Sequence, residues 1–206
     1  MSEQPPGKTR SRLTLFILVG IFIAPILGAY IVHKYKALQP TGSKSFGAIV
    51  TPARPLPEFN LKTIDGKVFD LESIRRKWSY VYIIKSECGD ACQLNLLKMR
   101  NARLAQGAEA QRVRYYLVFA KRPEQQSSID EIVKVHPKLT ILHGSESELK
   151  TFFESFKDAE TDKVPTAQRV YMIDPIGNYM MYYSDGFESI GIMEDLKHLL
   201  KWSQIG

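Results

Sequence analysis

The sequence predicts an α/β layered domain preceded by one apolar helix, and three observations predict it. Residues 13–32 run for twenty positions without a charge. Beyond them, short apolar runs of strand length alternate with segments whose apolar residues recur at helical spacing. Two cysteines, Cys88 and Cys92, stand where one such run passes into one such segment.

The chain has 206 residues, and setting the apolar stretch aside leaves enough for one domain with its own hydrophobic core. With 44% hydrophobic and 11% aromatic residues it has the composition of a folded protein, without repeats or low-complexity runs. The net charge of +6 comes from 28 Lys and Arg against 22 Asp and Glu, with both signs interspersed. No basic stripe with interleaved aromatics stands out, so nucleic acid is excluded as a partner class. The positive excess is compatible with anionic lipid headgroups.

At a rise of about 1.5 Å per residue, residues 13–32 span the roughly 30 Å hydrocarbon core of a bilayer. Gly20, Pro25 and Gly28 are tolerable in such a helix, and Tyr30 and Tyr35 suit its interface. A cleaved leader would have a shorter apolar region followed by a small-x-small site; none follows Val32, which favours a retained anchor. Lys8, Arg10 and Arg12 before it against Lys34 and Lys36 after it bias the N-terminus slightly inward. A thiol pair belongs on the oxidising side. The expected division is a cytoplasmic tail at 1–12, a transmembrane anchor at 13–32, a linker at 33–57 and the folded domain at 58–206. The protein would be single-pass in the inner (cytoplasmic) membrane, with its C-terminal domain on the periplasmic side.

The linker is read from the prolines at 40, 52, 55 and 57 and the absence of an apolar period. Residues 58–62 and 67–71 read as strands about the Asp65-Gly66 hairpin signal. Residues 78–84 are a continuous apolar and aromatic run suited to a buried central strand. Ala91, Leu94, Leu97 and Leu104 recur at near-helical spacing, predicting a helix over 90–105. A strand at 113–119, a helix from 127 or 128 to 135 and a strand at 139–142 follow. Ser145 and Glu148 form a capping box for a helix carrying Leu149, Phe152, Phe153 and Phe156. Strands at 169–173 and 178–183 flank a turn at 174–177, and a last helix bears Ile192, Leu196, Leu199 and Leu200. This order is that of a thioredoxin fold with an N-terminal β-hairpin.

Cys88 and Cys92 are the only cysteines, and a bridge closing so small a loop stabilises little, so chemistry is the better account. Cys88 falls at the join of strand and helix, where unpaired backbone N–H groups and the helix dipole favour a thiolate. Cys92 lies one turn on, so both sulfurs can meet at one spot. Two chemistries fit: disulfide exchange with Cys88 attacking and Cys92 resolving, or Cu(I) held between two thiolates. The bland alternative is a pair of small core residues or an inert disulfide.

Residues 56–61, the Asp65-Gly66-Lys67 turn, Lys77-Trp78, the Cys88-Gly89-Asp90-Ala91-Cys92 motif and residues 173–178 resemble the Sco family of cytochrome c oxidase assembly proteins. The chain is similar also to Sco-related, thioredoxin-like membrane proteins of bacteria. The resemblance covers roughly residues 50–205. It implies a thioredoxin-like fold, copper delivery to oxidase subunit II or reduction of that subunit's cysteines, and subunit II or another redox or copper assembly factor as partner. Where that family has proline after each cysteine, this chain has Gly89 and Gln93. Where it has a histidine as third copper ligand, this chain has Thr166. Val164-Pro165-Thr166 instead resembles the cis-proline segment of thioredoxins, which implies that Pro165 and Thr166 bind the substrate backbone.

His136 and His143 are candidate nitrogen ligands, while His33 and His198 read as solvated. Met99, Met172, Met180, Met181 and Met193 read as packing residues rather than Cu(I) ligands. The resemblance implies an oxidase-assembly accessory factor working by thiol exchange or transient Cu(I) handling, with no cofactor required. The thiol pair alone is met also by a general membrane-tethered thiol–disulfide oxidoreductase of the cytochrome c maturation type. A thioredoxin-fold adaptor that only binds a partner is the non-catalytic alternative, so whether the chain is an enzyme stays open.

Overall fold

The structure is a computed structural model that describes residues 8–34, 45–85, 87–121, 126–157 and 169–205. It divides into two units, residues 1–44 and 45–206. The first holds α1, Lys8–Lys34, with Pro25 inside it. Within α1 the window Thr14–Ile31 is long and apolar enough to cross a membrane, and its side chains are exposed.

The second unit is one eight-stranded mixed sheet with helices on both faces. The strands are β1 Ala48–Pro55, β2 Asn60–Thr63, β3 Val68–Asp70, β4 Trp78–Ile84, β5 Val113–Phe119, β6 Thr140–His143, β7 Val170–Ile173 and β8 Asn178–Tyr183. Their order across the sheet is β1-β8-β7-β4-β5-β6-β2-β3. The pairs β4–β5 and β5–β6 are parallel, joined through α3 Asp90–Leu104 and α4 Gln126–Val135, and every other pairing is antiparallel. Parallel neighbours need such crossovers, which cover the sheet and bury the strands between them. All seven residues of β4 are accordingly buried.

Alternation along β4 divides the core in two. Trp78, Tyr80, Tyr82 and Ile84 face a layer closed by α3, α4 and α6 Ser189–Trp202. Val81 and Ile83 face a layer closed by α2 Leu71–Ile74 and α5 Glu146–Glu154, where Phe59, Phe152, Phe156, Tyr171 and Tyr179 stack edge-on or tilted at ring separations of 4.7–5.7 Å. The Ser145–Glu148 capping box forms as read from the sequence.

One expectation fails. The linker assigned to 33–57 contains β1, which pairs with β8 from Ala48 opposite Tyr182 to Pro55 opposite Asn178. An edge strand tolerates proline and shows no apolar period because most of it faces solvent, which is why its residues read as a tether. The second unit begins before it: the buried Asp195 of α6 accepts from the amides of Phe46 (3.0 Å) and Gly47 (2.9 Å), from Ser45 Oγ (3.4 Å) and from the Tyr183 hydroxyl (3.0 Å). The α3 helix is present, but Ala91, Leu94, Leu97 and Leu104, the residues that revealed it, point outward. Its buried face is Cys92, Asn95, Leu96, Met99 and Ala102, a stripe whose apolar pattern the polar Asn95 breaks.

Candidate functional site

The β4–β5 ladder continues past both strands, with Ala120 donating to Ile84 O (2.9 Å) and Lys121 to Lys85 O (2.7 Å), so the backbone stays fixed almost to the cysteines. Gly89 caps α3 in an extended conformation (φ −73°, ψ −171°), and no side chain caps the helix. Cys88 therefore lies just outside the helix and Cys92 in its first turn. Cys88 thus stands before the helix, at the join of strand and helix, rather than on a helix face shared with Cys92. The two residues form a disulfide, with Cα atoms 5.0 Å apart.

The cysteines differ in exposure. Cys88 is half-buried and packs against the α3-side core, whereas Cys92 belongs to that core at 6% exposure. The uncapped first turn of α3 leaves backbone N–H groups and the positive end of the helix dipole at the turn that carries Cys92. A thiolate formed there is stabilised, which is the electrostatic requirement for exchange or for binding a soft cation.

Behind the pair lies a polar contact that sequence reasoning missed. Asn95 Nδ2 donates to the Tyr82 hydroxyl at 3.1 Å, and both residues are buried. Burial raises the Tyr82 hydroxyl above its ordinary value, with the Asn95 hydrogen bond opposing and Asp185 adding to the rise. The available signal was a polar residue three positions after Cys92 with a tyrosine at an inward position of the preceding strand.

The other sequence candidates scatter. His136 is 1% exposed at the end of α4, its Nδ1 without a hydrogen-bond partner among the described atoms. His143 ends β6, two strands from β4 in the sheet order, and His198 is exposed. Met99, Met172 and Met181 are buried in the core, and Met180 and Met193 pack against it. Among the described residues, no group of three or more His, Cys, Asp or Glu side chains could hold a metal ion. Val164, Pro165 and Thr166 lie outside the described residues.

Residues 78–203 match the family model described as transmembrane-like, thioredoxin-like, C-terminal domain. A SCO2-like protein of Rickettsia prowazekii is 20% identical over 203 residues, covering 93% of this chain and 99% of that protein. The Arabidopsis thaliana ScoI structure with copper bound superposes with a TM-score of 0.59 at 21% identity, covering 71% of this chain and 98% of that one. BsSco, whose structure is described as showing a disulfide switch in a member of the Sco family of cytochrome c oxidase assembly proteins, superposes at 0.58 with 20% identity, covering 75% and 99%. The chain belongs to the transmembrane-like, thioredoxin-like, C-terminal domain family, with SCO2-like and SCO1 proteins as distant homologues.

Proposed function

We propose that this chain is a membrane-anchored accessory factor of cytochrome c oxidase assembly that works through Cys88 and Cys92, with its domain on the periplasmic side. One observation carries the reading. The fold brings an accessible and a buried cysteine into bonding contact at an uncapped helix N-terminus. The Sco-like relatives add the biological setting: one is described with copper bound, another by a disulfide switch within a family of oxidase assembly proteins.

Of the two chemistries, thiol–disulfide exchange is the one supported best. An incoming thiolate attacks the half-buried Cys88 sulfur, Cys92 leaves as the resolving thiolate, and the helix N-terminus receives the negative charge. Copper is cargo in this scheme. The reduced pair offers two soft sulfur donors, enough for two-coordinate Cu(I) and poorly suited to Cu(II). Pro165 and Thr166 take the role of substrate-backbone contact, and oxidase subunit II or another redox or copper assembly factor is the partner. Leu94 and Leu97, exposed on α3, give such a partner an apolar surface.

Alkylation of the reduced full-length chain in detergent tests the assignment of roles. Cys88 should be modified at least tenfold faster than Cys92 at neutral pH, read by peptide mass spectrometry; equal, slow labelling of both would identify an inert pair. In the same preparation Cu(I) should bind through two sulfurs and be lost in Cys88→Ala or Cys92→Ala. A nitrogen shell in X-ray absorption would restore copper delivery as the primary role.

A further inference from the structure

The exchange step proposed above places a negative charge on a buried atom. When a thiolate attacks Cys88 Sγ, the Cys88–Cys92 bond breaks and its electron pair leaves on Cys92 Sγ, in a residue only 6% exposed. An anion withdrawn from water is costly unless hydrogen-bond donors meet it, and the rate of exchange rises with the stability of the leaving thiolate. The helix N-terminus supplies backbone donors on one side. On the core side, buried side chains of β4 and α3 meet in the hydrogen bond of Asn95 to Tyr82.

Placement favours its involvement. Asn95 follows Cys92 by three positions on the buried face of α3, where such neighbours stand about 5–6 Å apart between Cβ atoms. Tyr82 projects from β4 into the same core layer as Cys92. Its hydroxyl oxygen is occupied as an acceptor of the Asn95 amide, which leaves the O–H proton to donate elsewhere. Lys98, one turn beyond Asn95, donates to Phe187 O at 2.6 Å and ties the loop bearing Asp185 to the helix over this spot.

We propose that Tyr82 is a catalytic residue whose hydroxyl, oriented by the positioning residue Asn95, donates a hydrogen bond to the Cys92 thiolate released when the disulfide opens. The inference rests on the redox reading of the pair. With dithiothreitol as reductant, one thiolate of the reagent bonds to Cys88 and Cys92 leaves. The reagent's second thiolate then attacks its own bonded sulfur, closes the cyclic disulfide and frees Cys88. Two electrons pass to the chain, and solvent protonates its thiolates as their affinities dictate.

The test compares full-length wild type, Tyr82→Phe and Asn95→Ala in detergent, equilibrated with mixed reduced and oxidised dithiothreitol and counted after alkylation. Tyr82→Phe keeps the ring that packs the core and removes only the hydroxyl. It should favour the oxidised form about tenfold, equivalent to about 30 mV toward more negative potential, and slow reduction by a similar factor. Asn95→Ala should shift the same way by less, since the hydroxyl remains but is no longer held. A Tyr82→Phe equilibrium within twofold of wild type overturns the inference, as does a loss of melting temperature that is equal in both redox forms with no shift in the equilibrium. A wild-type disulfide that resists excess dithiothreitol overturns the redox reading as well, so the two failures are told apart.

Discussion

Gln93 donates its amide to the Gly89 carbonyl at 3.0 Å, the bond that closes the first turn of α3. A proline at that position would delete it, so the departure from the Sco pattern has a structural return: the turn carrying Cys92 is hydrogen-bonded from its start. Gly89 itself has no neighbour within reach of an added Cβ and a backbone angle that proline also adopts, so its identity is not forced by packing. His136 shows a different constraint. Burial first, and the nearby Arg100 second, hold its imidazole below the ordinary value of 6.5. The unfolded chain therefore binds the proton more readily, and stability present above about pH 6.5 is lost as the pH falls toward the lowered folded value. His136→Leu should reduce the fall in melting temperature between pH 8 and pH 5; an unchanged fall would show that other groups cause it. The sequence singled out the two cysteines because they lie four positions apart and are the chain's only ones. It could not reveal Tyr82–Asn95, whose contact depends on two elements packing.

The edge strand β1 is the element that local pattern concealed. A sequence reader expects alternation in a strand, and β1 is mostly exposed and interrupted by Pro52 and Pro55, so pairing with β8 is its visible evidence of order. Central strands were legible for the opposite reason: β4, β5 and β8 are found at the limits that their apolar runs predict. The α3 helix was legible in existence but not in orientation, because its outward leucines are more regular than its inward stripe. The edge strand yields a direct prediction about where the domain starts. A fragment beginning at residue 58 loses β1 and every donor that residues 45–47 give to Asp195, leaving a buried carboxylate short of partners and β8 uncovered. It should be less stable than a fragment beginning at residue 45 by about 3 kcal/mol or more and should self-associate through β8. Denaturant melts and size-exclusion chromatography measure both; equal stability would return residues 45–57 to the status of a tether.

At the scale of the whole molecule, the α/β architecture follows from the alternation of strands and helices, and the comparisons place it in the thioredoxin fold. That α1 is long and apolar enough to cross a membrane follows from length and composition alone. Orientation in the membrane was the least legible property, because cationic residues flank both sides of the apolar stretch and charge bias acts through their difference. A phosphatase reporter fused after Gly206 should be active, and active only when exported; an active cytoplasmic reporter at the same point would reverse the placement.

In a chain held by its N-terminal apolar helix, the clasp at Asp195 would have a mechanical meaning. Ten residues, 35–44, separate the end of α1 from Ser45, a length of at most about 35 Å when fully extended. A pull along that segment arrives first at residues 45–47, where several hydrogen bonds converge on one carboxylate. Only after these yield does the load reach the β1–β8 ladder, which would otherwise unzip one rung at a time. The clasp would act as a strain relief, like the grip where a cord enters its housing, and keep the sheet closed under such a pull.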